Sequence, residues 1–149
     1  MAMSLCLVSD KLHGKLPVDF GNLTSVQYLS LHNNNFSGAI PSSLLHLKGQ
    51  KPEFTSVELS HNAFSGVLPQ NLRNLSSLMM IDLHDNRIIG NVLAFLSQTS
   101  SLMILNLQNN SLKGQIPGSF SKLTNLKILD LTYTYLSGKV SKSYDSSIK

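Results

Sequence analysis

Carboxylate and imidazole side chains recur in the middle of the chain at a spacing that would let them meet if the chain coiled once per interval. Glu58 and Asp82 are separated by 24 residues, as are His61 and Asp85. Two neighbouring carboxylates form the catalytic pair of retaining glycosidases, and histidine with aspartate is a common zinc ligand set. Which chemistry is available depends on the elements that carry these side chains.

Those elements are the units of an internal repeat. An L-x-L pair, a polar turn, a glycine and a closing apolar residue occur six times, at Leu5, Leu29, Val57, Ile81, Leu105 and Leu129. The intervals between these positions are 24, 28, 24, 24 and 24 residues. Such regular self-similarity predicts a solenoid whose units bury their leucines against their neighbours. We assign the four additional residues of the long interval to a loop within residues 48–53.

The recurring positions of the unit have separate physical roles. The L-x-L segment alternates like a short strand, with its leucines on one face, and the glycine permits backbone angles that turn the chain. The asparagines after L-x-L should form a ladder that satisfies buried backbone groups. The ladder consists of Asn34, Asn62, Asn86 and Asn110. At the two ends Asp10 and Thr134 take this position, so the repeat frays there.

The units read L-x-x-L-x-L-x-x-N-x-L-x-G-x-I-P, a pattern that resembles the plant-specific leucine-rich repeat. The resemblance covers residues 1–140 and leaves residues 141–149 as a polar tail. It implies a leucine-rich-repeat solenoid of about six 24-residue repeats, with a short parallel β-sheet on the concave face and an irregular or 3-10 convex side. The cysteine-bearing caps of the family are missing, and Cys6 is the single cysteine, so the chain resembles a slice of a longer receptor.

The strand positions opposite the leucines should form columns on the concave face, where such proteins bind their ligands. We interpret them as a polar, mildly acidic groove. Its predicted residues are Ser30, His32, Glu58, Ser60, His61, Asp82, His84, Asp85, Arg87, Asn106, Gln108 and Asn109. The alternative is that these side chains only keep an exposed strand soluble.

Neither a metal site nor catalysis is expected on this face. Zinc needs its ligand atoms about 2 Å from one centre, and histidines on a rigid sheet, such as His32 and His84 two strands apart, are hard to converge. Glu58 and Asp82 would lie on an open, wet surface with no pocket to raise the pKa of one carboxyl. The chain also lacks a phosphate-binding loop, G-x-S-x-G and H-E-x-x-H. The sequence therefore predicts no enzyme and no cofactor.

The bulk properties exclude other classes of protein. The net charge is +4, but residues 1–52, 53–112 and 113–149 carry +2, −2 and +4, so no basic face runs through the middle. Nucleic-acid binding is therefore not expected. No window of the sequence approaches 18 consecutive apolar residues, so no insertion into a membrane is expected within this chain.

Four N-x-S/T sequons are possible glycosylation sites, at Asn22, Asn35, Asn74 and Asn109. The family resemblance implies an extracellular or plasma-membrane location, although the N-terminus is a poor signal peptide.

Three functions remain open. The resemblance favours a module that recognises a protein or peptide ligand, with a possible co-receptor, in defence or developmental signalling. The alternatives are a secreted inhibitor like the polygalacturonase-inhibiting proteins, or a truncated receptor product without a function of its own. Because the end coils offer leucines without a cap, self-association through the ends is also expected.

Overall fold

The computed structural model describes residues 3–23, 25–45, 55–70, 77–92 and 94–138. The predicted loop at residues 48–53 and the tail at 141–149 lie outside these ranges. The described residues form twelve short strands: β1 (Met3–Cys6), β2 (His13–Lys15), β3 (Val26–Ser30), β4 (Asn35–Ala39), β5 (Ser56–Glu58), β6 (Ala63–Val67), β7 (Met80–Asp82), β8 (Arg87–Asn91), β9 (Ile104–Asn106), β10 (Ser111–Gln115), β11 (Ile128–Asp130) and β12 (Tyr135–Ser137).

The L-x-L segments build the predicted parallel sheet. Its strand order is β1-β3-β5-β7-β9-β11, so each repeat pairs with the next one along the chain. Leu29 lies opposite Val57, and Ile81 lies opposite Leu105. The leucines of these strands point inward, as the alternation predicts, and the outer surface of this sheet is called the concave face below. The fold class expected from the sequence is confirmed.

The even-numbered strands form a second parallel sheet, which corrects the prediction of a single one. Its order is β12-β10-β8-β6-β4-β2. Each of β4, β6, β8 and β10 begins directly after a ladder asparagine. The glycine of each repeat lies in this sheet or just after it, so the segment that the sequence indicates as a turn is extended and paired.

Gly90 explains why this second sheet needs its glycines. The residue has a φ of +87°, in the region that favours glycine. A Cβ atom placed there would lie 2.9 Å from Cγ1 of Val67 in the preceding repeat. The position therefore combines a left-handed backbone with a close approach between coils.

Four 3-10 segments, and no α-helix among the described residues, form the opposite side: Val18–Asn22, Ser42–Leu45, Ala94–Gln98 and Gly118–Lys122. Pro17 and Pro117 stand directly before two of them in extended conformation. The core lies between these segments and the two sheets. Phe36 and Phe64 stack inside it, with ring centroids 6.1 Å apart.

The ladder asparagines connect each coil to the preceding one. The amide nitrogen of Asn62 donates to the carbonyl oxygen of Leu31 at 2.9 Å, and its side-chain oxygen accepts from the backbone nitrogen of Phe36 at 2.9 Å. Asn34, Asn86 and Asn110 make the equivalent pair of bonds. Only Asn110 is fully buried, and the other three are half-buried.

Candidate ligand-binding face

One group of predicted residues, called the Glu58 cluster, joins the second and third repeats. The Tyr28 hydroxyl donates to Oε2 of Glu58 at 2.7 Å, and the Ser30 hydroxyl donates to the same oxygen at 3.2 Å. Nδ1 of His32 lies 2.7 Å from the Ser30 hydroxyl and 3.7 Å from Glu58. The hydrogen bond to Glu58, followed by burial and the carboxylate charge, raises the pKa of Tyr28 above its ordinary value. Tyr28 was not among the predicted residues.

A second group, called the histidine cluster, comprises His61, Asp82, His84 and Asp85. Nδ1 of His84 lies 2.6 Å from Oδ1 of Asp82, and Nδ1 of His61 lies 3.0 Å from Oδ2 of Asp85. The two Nε2 atoms of the histidines are 3.0 Å apart, with the rings edge to face at a centroid distance of 4.5 Å. The structure thus brings together imidazoles that we expected the sheet to keep apart.

The backbone after each concave strand brings His61 and His84 together. His61 and Asp85 have φ values of 51° and 53°, and Asn33 and Asn109 share this left-handed conformation. Asn and Asp tolerate it better than most residues. The turn stays bonded between coils, because the backbone nitrogen of His61 donates to the carbonyl oxygen of His84 at 3.0 Å. The recurring Asn or Asp at this position was the available signal for the turn.

The fifth repeat supports the histidine cluster from the other side. The amide of Asn109 donates to Oδ1 of Asp85 at 2.6 Å, and the amide nitrogen of Asn106 lies 3.2 Å from Nδ1 of His84. Gln108 lies on the same face and donates its backbone nitrogen to Oδ1 of Asn106 at 3.2 Å.

Three predicted residues differ from their expected positions. Ser30 and Ser60 are only 1% and 5% exposed, because their short side chains lie below the larger neighbours on the strand. Arg87 is exposed but begins β8, so it belongs to the second sheet rather than to the concave strands.

A column of the concave face was missed, two residues before the Ser30–Glu58–Asp82 column on each strand. Tyr28, Ser56, Met80, Ile104 and Ile128 lie side by side in the sheet register. Met80 and Ile104 are half-buried, and Ile128 is 45% exposed. The alternation of the strand predicts this column once the strands are extended by two residues towards their N-terminal ends. The concave face is therefore apolar along one side.

An open depression of about 500 Å³ lies beside the apolar column. It is lined by Thr55, Ser77, Met79, Ser101, Met103, Asn125 and Lys127. Met79 is 44% exposed, so the depression adds apolar surface at the edge of the face.

The sequons lie in different surroundings. Asn22 and Asn35 are exposed outside the concave strands, in a 3-10 segment and at the start of β4. Asn109 is exposed on the concave side, and Asn74 lies outside the described residues. Cys6 is exposed with a free thiol. None of the helices among the described residues is long and apolar enough to cross a membrane.

Family models and solved structures give a consistent comparison. Two leucine-rich-repeat models match residues 93–140 and residues 25–47 and 53–75. A comparison with curated proteins finds no match. The plant peptide hormone receptor RGFR1 in complex with RGF2 has a TM-score of 0.82 and 32% identity, over 89% of this chain and 21% of that one.

Two ectodomains from Arabidopsis thaliana are also similar. That of GASSHO1/SCHENGEN3, in complex with CASPARIAN STRIP INTEGRITY FACTOR 2, has a TM-score of 0.82 and 34% identity, over 89% of this chain and 16% of that one. That of the receptor kinase SOBIR1 has a TM-score of 0.81 and 33% identity, over 90% of this chain and 72% of that one. This chain spans only about a fifth of the longer receptors. It belongs to the plant leucine-rich-repeat family, the family of these receptor ectodomains.

Proposed function

We propose that the concave face binds an extended segment of a peptide or protein ligand, laid across the strands. The observation that carries the proposal is the division of this face into an apolar column and a polar column two residues further along each strand. A ligand could place apolar side chains on Met80, Ile104 and Ile128 and polar ones on the adjacent column. Binding sites commonly combine apolar area with a few positioned polar groups.

The charges of the polar column indicate the chemistry of the ligand. Glu58, Asp82 and Asp130 supply carboxylates, and Asn106 supplies an amide. Carboxylates only accept hydrogen bonds, so the matching groups on the ligand are Lys, Arg or backbone N–H donors. We therefore propose a basic or neutral segment as the partner.

The similar receptors support the same kind of ligand. RGFR1 is a peptide hormone receptor, and the GASSHO1/SCHENGEN3 ectodomain is bound to CASPARIAN STRIP INTEGRITY FACTOR 2. Their description as receptors and ectodomains also supports an extracellular, membrane-associated setting for this chain. A role in defence or developmental signalling, with a co-receptor as second partner, is the corresponding proposal at the level of the whole protein.

The test uses linear random peptides displayed on phage and selected on the immobilised chain, followed by fluorescence anisotropy with the selected peptides. We expect peptides rich in Lys or Arg and apolar residues. Ile128→Asp should weaken binding about tenfold or more, since it replaces an apolar contact worth about 1.5–3 kcal/mol.

Ile89→Asp is the matched control. Ile89 is 46% exposed, almost the same as Ile128, but it lies on β8 in the second sheet. Affinity should be unchanged in this variant. Failure to select any peptide, or equal losses in the two variants, would contradict the proposed binding face.

A further inference from the structure

We propose that His61, His84 and Asp85 form a binding site for a divalent transition-metal ion of the Zn²⁺ or Cu²⁺ class. One ligand atom from each residue lies within 4.8 Å of the others. The sequence alone argues against such a site, because it places the histidines on separate strands of a rigid sheet. The left-handed backbone at His61 removes that objection.

The hydrogen bonds leave two lone pairs facing each other. Nδ1 of His84 and Nδ1 of His61 each lie against a carboxylate oxygen, of Asp82 and Asp85 respectively. A carboxylate only accepts hydrogen bonds, so both Nδ1 atoms carry a hydrogen. A neutral imidazole has one N–H, which leaves both Nε2 atoms as acceptors 3.0 Å apart. A cation is needed to reconcile them.

Asn106 does not change this assignment. Its amide nitrogen lies 3.2 Å from Nδ1 of His84, whereas Oδ1 of Asp82 lies at 2.6 Å. The shorter contact involves a charged acceptor and is the stronger of the two. Asp82 therefore sets the tautomer of His84.

The distances suit a metal ion of this class. With metal–nitrogen bonds of about 2.0–2.1 Å, nitrogens 3.0 Å apart subtend roughly 95° at the ion, between the octahedral and tetrahedral angles. Oδ2 of Asp85 lies 3.8 Å from Nε2 of His84, so a modest rotation of the carboxylate adds a third ligand. Two imidazoles with one carboxylate suit zinc or copper, whereas calcium and magnesium prefer oxygen ligands.

The surrounding groups would orient the ligands as they do in metal proteins. Metal-bound histidines usually donate their second nitrogen to a carboxylate or carbonyl, which is the role that Asp82 has beside His84. Asn109 holds the other oxygen of Asp85 at 2.6 Å. The His61 side chain is 47% exposed, so one side of the site is open to water or to a group of a bound ligand.

The experiment is isothermal titration of the tag-free chain with zinc chloride near neutral pH, in a Cys6→Ser background that removes the exposed thiol. We expect one zinc ion per chain and no heat from magnesium chloride. His61→Gln and His84→Gln should each weaken zinc binding about tenfold or more, and Asp82→Asn should weaken it about 10- to 100-fold.

His32→Gln is the matched control, because His32 is also a partly exposed imidazole on the concave face beside a carboxylate. It should bind zinc as tightly as the parent chain. Circular dichroism identifies variants that fail to fold. For these, electron paramagnetic resonance of the Cu²⁺-loaded parent chain decides, since two coordinated imidazole nitrogens are expected. Absence of stoichiometric zinc binding by the folded parent, or an equal loss in His32→Gln, would overturn the site and leave a proton as the cation between the histidines. Neither outcome depends on the proposed peptide ligand.

Discussion

Asn86 binds two backbone groups of the repeat before its own. Its amide nitrogen donates to the carbonyl oxygen of Leu59 at 3.0 Å, and its side-chain oxygen accepts from the backbone nitrogen of Phe64 at 2.9 Å. The same amide nitrogen also contacts the carbonyl oxygens of Leu83 and His84. One half-buried side chain therefore holds together two successive coils.

Replacement of Asn86 by alanine should destabilise the protein. The substitution removes the partners of partly buried backbone groups, at a cost of about 1–3 kcal/mol. Urea unfolding followed by circular dichroism measures the change. Asn91→Ala is the control, because Asn91 is exposed at the end of β8, and its effect should stay within about 0.5 kcal/mol. Equal losses from the two substitutions would contradict the structural role of the ladder.

Gly90→Ala should destabilise the second sheet by about 1–2 kcal/mol or more, because a residue with a Cβ atom is strained at a left-handed φ. The close approach of Val67 adds to this strain. Thermal unfolding measures the loss.

Gly118→Ala provides the comparison for Gly90→Ala. Nothing lies within 4 Å of a Cβ atom at Gly118, so the substitution should be tolerated. A second variant, Gly90→Ala with Val67→Ala, should recover only part of the loss, since it relieves the contact but not the backbone. Full recovery would show that the φ angle is unimportant.

Tyr28 should ionise at a higher pH than an ordinary tyrosine. Its pKa is raised, first by the hydrogen bond to Glu58, so the folded state holds this proton more tightly than the unfolded state. The stabilisation is complete below the unfolded pKa of about 10 and is lost as the pH rises through the folded value. Ultraviolet titration of the phenolate band should show a delayed component.

Two variants test the assignment to Tyr28. Tyr28→Phe should remove the delayed component, and Glu58→Gln should shift it towards ordinary tyrosine behaviour because the charged acceptor is gone. A delayed component that survives in Tyr28→Phe would contradict the assignment.

The repeat and the polar residues of the concave face could be predicted because both depend on local spacing. The alternation around Leu29 and Leu31 gives the strand, and the recurring asparagine gives the turn. The second sheet was missed because a glycine such as Gly66 suggests a turn, whereas here it allows a strand to pass close to its neighbour. The pairing of His61 with His84 was missed because it runs diagonally between repeats and depends on a left-handed φ at a histidine.

The ladder bonds described above all run in one direction. Asn34, Asn62, Asn86 and Asn110 each reach the repeat that precedes them in the chain. During synthesis on the ribosome, a coil of this solenoid therefore lacks its closing hydrogen bonds until the next 24 or so residues have emerged. Nascent chains halted within a repeat should leave the latest coil open to proteases while the earlier ones are closed.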